Sequence, residues 1–311
     1  MRVRVCSIAL LVPFSFLAGQ RAAKVETPGD PIRTLIAAFD RFNLIGLGER
    51  HQTLEDSQFR LKLIRDPEFA RKVNDIVIEF GNPRHQSVLD RYVDGEDVPY
   101  AELSKVWLDT TQRASRIWSS PIYEDLITVV RSVNFGLPKE KRLRVLAGDY
   151  PMDWSLFDLE LARPLPRPEV LKSEWPYPDR DAAAATVIRK EVLDKNRKAL
   201  VIFGGGHFLR NDPAVVVNLF HDDPRAKWLA IYSIGGPGMP AVIAAHPATP
   251  DQPILLAPTG AIGELYAGYL DMDKKGWDKS PNRVKVRQIV DLFLYFGTAP
   301  PTHILSPKAP R

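Results

Sequence analysis

Two histidines and three carboxylates stand in the sequence where short apolar runs end. Glu49 and His51 follow the run NLIGLG, Glu79 lies at the end of DIVIEF, Asp149 follows LRVLAG, and His207 follows ALVIFGGG. Imidazole and carboxylate groups act as general acids and bases near neutral pH and together can activate a water molecule. The sequence therefore predicts a functional site built from these five residues.

The residues alone leave two kinds of chemistry open. In the first, His51 or His207 takes a proton from water, while Glu49 or Glu79 orients the imidazole and stabilises its charged form. In the second, His51, Glu79 and His207 bind a divalent metal ion that supplies the nucleophilic water. The chain has no H-E-x-x-H motif, so the metal site is the alternative and a site without a required cofactor is preferred.

Glycines directly precede the second histidine. Gly205 and Gly206 let the backbone turn sharply and approach a bound molecule before His207, and we expect both to contact substrate. Tyr232, at the end of the run WLAIY, and Asp149 are the side chains expected to contact it from neighbouring strands. Small polar and aromatic groups at strand ends are typical of a small-molecule site.

The elements that must position these residues alternate along the chain. Short apolar runs predict strands at 43–48, 75–80, 143–147, 199–203, 228–232 and 291–296. Apolar residues at helical spacing predict helices at 52–65, 83–93, 121–134 and 182–197, the last with Asp181 as its N-cap, and a polar and aromatic helical stretch is expected at 100–118. This alternation predicts an α/β fold with a mostly parallel central sheet and helices on both faces. Ligands of such sheets bind beyond the carboxyl ends of the strands, where the candidate residues would meet.

Several familiar catalytic motifs are absent. The chain has no G-x-S-x-G nucleophile elbow and no G-x-x-x-x-G-K-[ST] phosphate loop. The run Gly46 to His51 matches the first two glycines of the dinucleotide-binding motif G-x-G-x-x-G, but His51 stands in the place of the third glycine. Serine hydrolases of the common kind, P-loop proteins and nicotinamide enzymes are therefore disfavoured.

Other polar and aromatic residues have plainer interpretations. His85 is expected to face solvent or cap a helix. Arg60 and Arg84 could reach the site, but surface salt bridges are the preferred expectation for both. Trp107 and Trp118 lie in a helical stretch and are expected to pack or to form a pocket wall.

Composition limits the partners of the protein. The 311 residues include 42 Lys and Arg against 38 Asp and Glu, which gives a net charge of +4 spread along the chain without a basic block. Nucleic acid is therefore not an expected partner. The single cysteine excludes an internal disulfide framework.

The N-terminus has the order of a secretory signal peptide. Arg2 and Arg4 precede a mostly apolar run from 5 to 18, and small and polar residues follow up to Ala23. The sequence predicts a signal peptide at 1–23, export to the periplasm or outside the cell, and no transmembrane span in the mature chain. Residues 24–311 are predicted to form one domain, with a proline-rich loop or lid at 151–181.

Four segments resemble a known superfamily. The runs LGERHQTLEDSQFRLKLI, VIEFGNPRHQSVLDRYVDGE, RDAAAATVIRK and ALVIFGGGHFLRND are similar to the superfamily that joins erythromycin esterases, ChaN-type haem-binding proteins and Tiki-type proteases. This resemblance implies an α/β fold with the site at the strand ends. It also implies metal-independent ester hydrolysis in which His51 matches the base, Glu49 and Glu79 match its carboxylate partners, and His207 and Arg180 match a second histidine and an arginine near the site.

One departure from the esterase pattern favours the haem-binding branch. Esterases of this kind have two residues between the first glutamate and histidine, whereas only Arg50 separates Glu49 from His51. The preferred expectation is an exported hydrolase of an ester, lactone or amide. The alternatives are a haem- or iron-binding protein of the cell envelope, with Tyr150, Tyr232 or a histidine as axial ligand, and a relative without activity.

Overall fold

The computed structural model describes residues 29–158, 163–164, 180–212, 215–270 and 284–305. The predicted signal peptide at 1–23 lies outside the described residues, as does most of the proline-rich segment 151–181. Within the described ranges, no helix is both long enough and apolar enough to cross a membrane.

A seven-stranded sheet forms the centre of the fold. Its strands are β1 (Leu44–Glu49), β2 (Asp75–Ile78), β3 (Arg144–Ala147), β6 (Ala199–Gly204), β7 (Trp228–Ile234), β8 (Ile254–Leu256) and β9 (Leu292–Tyr295). They lie in the order β3-β2-β6-β1-β7-β9-β8, and the pairs are parallel except β8 with β9. A separate antiparallel pair joins β4 (Phe157–Asp158) to β5 (Arg163–Pro164). The predicted mostly parallel sheet is confirmed.

Helices and short turns connect the strands. The α-helices are α1 (Pro31–Ala38), α2 (Leu54–Arg65), α3 (Phe69–Lys72), α4 (Gln86–Val93), α5 (Tyr100–Leu103), α6 (Lys105–Leu108), α7 (Pro121–Phe135), α8 (Arg180–Ile188), α9 (Ala241–Ala244) and α10 (Gly260–Gly263). The 3₁₀ turns are Pro83–His85, Arg113–Ser115, Ile117–Ser119, Lys139–Lys141, Trp154–Leu156, Gly205–Phe208, Asn218–Phe220, Ala267–Leu270 and Val286–Gln288, and a π turn covers Arg189–Leu193.

The central strands are buried on both faces, which explains their continuous apolar runs. Every residue of β1 and of β6 is buried. On one face, Leu47 packs in a core with Phe59 of α2 and Val130 of α7. On the other face, Val201 packs in a core with Ile188 of α8. The predicted helices on both faces are therefore present.

Two helical segments differ from their predictions. The region 100–118, expected to be helical, contains only α5, α6 and short 3₁₀ turns. The helix predicted at 182–197 begins at Arg180 and is α-helical only to Ile188. One turn of π-helix, Arg189–Leu193, follows it. The assignment of Asp181 as N-cap was wrong, because Asp181 lies inside the first turn and its side chain accepts a hydrogen bond from the backbone N–H of Val216.

The strand order creates a crevice at the carboxyl ends of β1 and β6. From β1 the chain moves toward one edge of the sheet, to β2 and β3, whereas from β6 it moves toward the other, to β7 and β9. Connections that leave in opposite directions open a crevice above the strand ends, which is where open α/β sheets bind ligands.

Candidate active site

The predicted site residues come from four neighbouring strands. Glu49 ends β1 and His51 follows it, Glu79 follows β2, Asp149 follows β3, and His207 follows β6. Because β3, β2, β6 and β1 are adjacent in that order, their carboxyl ends form one rim. The structure brings all five residues to this rim.

Glu79 is at the centre of the site. Its Oε1 atom lies 3.3 Å from Nε2 of His207 and accepts a hydrogen bond of 2.8 Å from Arg180. Its Oε2 atom lies 3.9 Å from Nε2 of His51 and accepts a hydrogen bond of 2.6 Å from the backbone N–H of Gly204. The residue is 2% exposed. One buried carboxylate therefore faces both imidazoles.

A second carboxylate holds the other nitrogen of each imidazole. Nδ1 of His51 lies 3.0 Å from Oε1 of Glu49, and Nδ1 of His207 lies 2.8 Å from Oδ1 of Asp181. With Nδ1 donating to a carboxylate, the lone pair of a neutral imidazole resides on Nε2. Asp181 is thus a site residue that the sequence did not reveal, because an acidic residue at a helix start has the same appearance as a cap.

A buried arginine anchors Glu49. The guanidinium of Arg60 bonds Oε2 of Glu49, donates to the carbonyl of Ile122 at 2.9 Å, and lies 5.4 Å from the ring centre of Tyr123. Arg60 is 1% exposed, so the predicted surface salt bridge was wrong. Arg60 lies in α2 three residues before buried Leu63, and this spacing places it on the apolar face of that helix. The same spacing in the sequence could have predicted that Arg60 is buried.

Asp149 is hydrogen-bonded to Arg180. Its Oδ1 atom accepts a hydrogen bond of 2.9 Å from Arg180, and its Oδ2 atom accepts one of 2.7 Å from the backbone N–H of Thr111. Asp149 is 1% exposed. Asp149 is therefore a buried group that orients the guanidinium of Arg180. Contact between Asp149 and substrate stays a prediction.

The local backbone conformation directs the side chain of His51 toward the carboxyl ends of the strands. Gln52 has a left-handed φ of 60°, and its backbone N–H donates to the hydroxyl of Tyr123 at 3.0 Å, which compensates this uncommon conformation. A Cβ atom on Gly204 would lie 2.8 Å from Nε2 of His51. The imidazole can therefore cross the end of β6 only because position 204 is glycine.

The remaining predicted contact residues lie beside the histidines. Gly205 is buried against the ring of Tyr232, where a Cβ would approach a ring carbon to 2.5 Å. Gly206 and Tyr232 are half-buried. Their predicted contact with substrate stays a prediction.

Electrostatics distinguish the two histidines. Burial, the largest influence, lowers the pKa of His207, but the carboxylates of Glu79 and Asp181 outweigh it and raise that pKa to about 10. For His51, burial again lowers the pKa, Glu79 and Glu49 raise it above the usual value, and positive His207 lowers it. Although burial opposes ionisation of Glu79, the cations His207, Arg180 and His51 hold its pKa well below the usual value. At neutral pH Glu79 is therefore an anion and His207 a cation.

His51 is the more accessible histidine. Its side chain is 29% exposed, against 13% for His207. Its ring makes a T-shaped contact with Trp118 at a centroid distance of 4.9 Å. Trp118 also lines a cavity of about 470 Å³, as the pocket-wall interpretation of this residue expected. Trp118 is thus the residue of the cavity wall that contacts the ring of His51.

Among the described residues, the candidate metal ligands already bond other groups of the protein. Within the part of the chain that the structure describes, no three His, Cys, Asp or Glu residues are grouped so that they could hold one. In the alternative set of His51, Glu79 and His207, both oxygens of Glu79 already accept hydrogen bonds from Arg180 and Gly204. Both Nδ1 atoms are held by further carboxylates. Haem binding through Tyr150, Tyr232 or a histidine stays a prediction.

Comparison with known proteins identifies the fold. No protein-family model matches the sequence, and no curated protein matches it. Among solved structures, a succinoglycan biosynthesis protein aligns over 92% of this chain and 95% of its own, with 11% identity and a TM-score of 0.52. A protein from Bacillus cereus aligns over 88% and 93%, with 12% identity and a TM-score of 0.50. An erythromycin esterase mutant in its open conformation aligns over 86% and 93%, with 12% identity and a TM-score of 0.49.

The chain shares its overall fold with the succinoglycan biosynthesis protein and with the Bacillus cereus protein. The α/β fold with a mostly parallel sheet that the sequence predicts is confirmed by this likeness. Identities of 11% and 12% show the fold alone. The chemistry of the chain must therefore be argued from its own residues.

Proposed function

We propose that the protein is an exported hydrolase that cleaves an ester, lactone or amide by activating water on His51. The observation that carries this proposal is the buried carboxylate of Glu79, which lies between two imidazoles that are each held by a further carboxylate. Such an arrangement fixes the tautomer, orientation and charge of both histidines, as general acid–base catalysis requires. The proposed export rests on the signal-like sequence at 1–23.

His51 suits the role of base better than His207. Its Nδ1 atom faces Glu49 at 3.0 Å, so the lone pair of the neutral ring is on Nε2. The 3.9 Å between Nε2 and Glu79 exceeds a hydrogen bond, which leaves Nε2 available to a water molecule. The pKa of His207 near 10 keeps that ring protonated at neutral pH, so it cannot accept a proton.

The other charges support the proton transfer. Water adds to the carbonyl carbon while its proton passes to Nε2 of His51, and the ring becomes a cation. Glu79 and Glu49 stabilise that cation, while His207 and Arg180 keep Glu79 ionised. When the bond to the leaving group breaks, the departing oxygen or nitrogen takes the proton from His51, which returns the site to its starting state.

The proposal is tested by hydrolysis of a panel of 4-nitrophenyl esters, lactones and peptide amides with the purified protein. We expect the substitution His51→Asn to lower kcat/KM by about 10²- to 10⁴-fold, the range for loss of a general base. His221→Asn is the matched control, because His221 also pairs with a carboxylate but is exposed, at 75% of its side chain. If the parent protein cleaves no member of the panel, or His51→Asn retains full activity, the proposal fails.

A further inference from the structure

The residue that follows His51 has an uncommon backbone conformation. Gln52 has a φ of 60°, in the left-handed region that few residues other than glycine adopt. Such a conformation carries an energetic cost and persists only where the surrounding structure enforces it. Because Gln52 is one peptide bond away from His51, the groups that enforce this conformation also set the position of the imidazole.

Three separate parts of the chain bond Gln52. Its backbone N–H donates to the hydroxyl of Tyr123 in α7 at 3.0 Å, and its side-chain amide donates to the carbonyl of Ile117 at 3.1 Å. Its backbone carbonyl accepts a hydrogen bond of 2.8 Å from the N–H of Ile304. This third contact comes from the last range of residues that the structure describes, far from Gln52 in the sequence.

The segment 302–304 pairs with the start of α2. Thr53 and His303 form an isolated antiparallel β-bridge. The N–H of Leu54, the first residue of α2, donates to the carbonyl of Thr302 at 2.9 Å. The pairing therefore extends from the turn that carries the imidazole into the helix that follows it.

The same segment caps α2. The N-cap residue Thr53 makes no side-chain hydrogen bond to the helix, and its buried Oγ1 atom has no partner among the described residues. The carbonyl of Thr302 therefore satisfies the N–H of Leu54 in place of a capping side chain. In return, the N–H of Thr302 donates to the carboxylate of Glu55, at 3.0 Å from Oε1 and 3.2 Å from Oε2. Glu55 is 6% exposed, and a hydrogen bond to a carboxylate is stronger than one between neutral groups.

A buried serine fastens the segment to a second helix. The hydroxyl of Ser120, a residue that is 1% exposed, donates to the carbonyl of Ile304. Ser120 is the N-cap of α7, whose Tyr123 accepts the hydrogen bond from the N–H of Gln52. The segment 302–304 thus bonds the starts of both α2 and α7. Because it does so mainly through backbone groups, no motif in the sequence marks it.

We propose that the backbone N–H of Ile304 positions His51 for the reaction, and that the segment 302–304 holds this N–H in place. The N–H fixes the carbonyl of Gln52, and with it the left-handed turn that directs the imidazole toward Glu79. Without this bond, Gln52 can move to a commoner backbone conformation, and the imidazole moves with it. The inference rests on the proposed hydrolase function for its effect on the rate, but not for its effect on the position of His51.

Proline substitutions at two neighbouring positions test this role. Ile304→Pro removes the N–H that donates to Gln52, whereas His303→Pro removes an N–H that has no acceptor among the described residues. We expect Ile304→Pro to lower kcat by about tenfold with KM unchanged, the effect of about one hydrogen bond, and His303→Pro to stay within about twofold of the parent protein. Ile304→Ala keeps the N–H but loses most of the side chain, so it should retain most of the activity.

Amide hydrogen exchange tests the contact in the parent protein, without any substitution. The N–H groups of Thr302 and Ile304 should exchange slowly, because both are hydrogen-bonded, whereas the N–H of exposed His303 should exchange quickly. Exchange of Ile304 as fast as that of His303 would overturn the inference, even if Ile304→Pro failed to fold.

NMR of the imidazoles separates this inference from the proposed function. In the Ile304→Pro protein the resonances of His51 should shift, whereas those of exposed His221 should not. Such a shift, found in a protein that cleaves no ester, would support the positioning role and overturn the hydrolase. Unshifted His51 resonances with full activity in Ile304→Pro, or equal changes in His303→Pro, would overturn the positioning role and leave the hydrolase standing.

Discussion

Nδ1 of His207 lies 2.8 Å from Oδ1 of Asp181, although the two residues are 26 positions apart in the chain. The equivalent partner of His51 is Glu49, which is only two positions away. One histidine is therefore held by a carboxylate of its own strand end and the other by a carboxylate of α8. The two histidines thus differ in their partner at Nδ1, although both face Glu79 and the charge of His207 lowers the pKa of His51.

The charge states of the two histidines predict a bell-shaped pH dependence. His51 must be neutral to accept a proton, so kcat/KM should rise as pH increases through its pKa, which lies above the usual 6.5. Protonated His207 presents an N–H group to Glu79 from Nε2, and loss of this proton would leave a lone pair facing the carboxylate, so activity should fall as pH passes about 10. A pH–rate profile that is flat between pH 6 and 11 would contradict these assignments.

The substitution Asp181→Asn should move the alkaline limb of that profile. Loss of the Asp181 carboxylate removes one of the groups that raise the pKa of His207, so this histidine should lose its proton at lower pH. The imidazole resonances of His207, followed by NMR during a pH titration, measure the shift directly. Asp222→Asn, next to exposed His221, is the control and should leave the resonances of His207 unchanged.

The substitution Gly204→Ala should reduce activity through His51. The added Cβ would lie 2.8 Å from Nε2 and 2.9 Å from Cε1 of that ring, so the imidazole must move. A displacement of about 1 Å at a catalytic group lowers the rate by about 10²-fold. The φ of −53° at position 204 is accessible to alanine, and kcat/KM should fall more than the midpoint of urea unfolding does.

Gly136→Ala is the matched control for this change. Its φ is −85°, and its added Cβ would lie no closer than 3.5 Å to another described atom. We expect it to retain the activity of the parent protein. Equal losses of activity in the two variants would show that position 204 has no specific relation to His51.

The substitution Arg60→Met should destabilise the protein. It leaves the buried carboxylate of Glu49 without its cation, and loss of one partner from a buried ion pair costs about 3 to 5 kcal/mol. Urea unfolding followed by circular dichroism measures the change in the free energy of unfolding. Arg71→Met removes an exposed ion pair with Glu68 and should change that free energy by less than about 1 kcal/mol. Equal effects would mean that Arg60 is not the anchor of Glu49.

The sequence predicts the sheet and the rim of the site because both depend on local patterns. Runs such as ALVIFG indicate buried parallel strands whatever their neighbours are, and β6 follows that prediction closely. Residues placed directly after such runs must lie at the carboxyl edge of the sheet. Glu79 and His207 could therefore be placed near each other before the strand order was known.

The partners of the histidines depend on tertiary packing, which local patterns do not contain. Asp181 reaches His207 only because α8 packs beside the end of β6, and the sequence gives no sign of that approach. Arg60 was assigned to the surface because its charge was given more weight than its position on the apolar face of α2. The inference drawn from charge alone was wrong because Glu49 supplies a buried partner.

The place of β6 in the sheet determines when the site can assemble. β1 and β2 are made first, yet they never pair with each other, since β6 lies between them. A nascent polypeptide that ends before residue 199 already contains Glu49, His51 and Glu79. It lacks β6, which lies between β1 and β2 and so sets the distance between these residues. It also lacks the backbone N–H of Gly204, which donates a hydrogen bond to Glu79. The candidate site is therefore assembled late in folding, through a long-range strand insertion and not through local structure formed during synthesis.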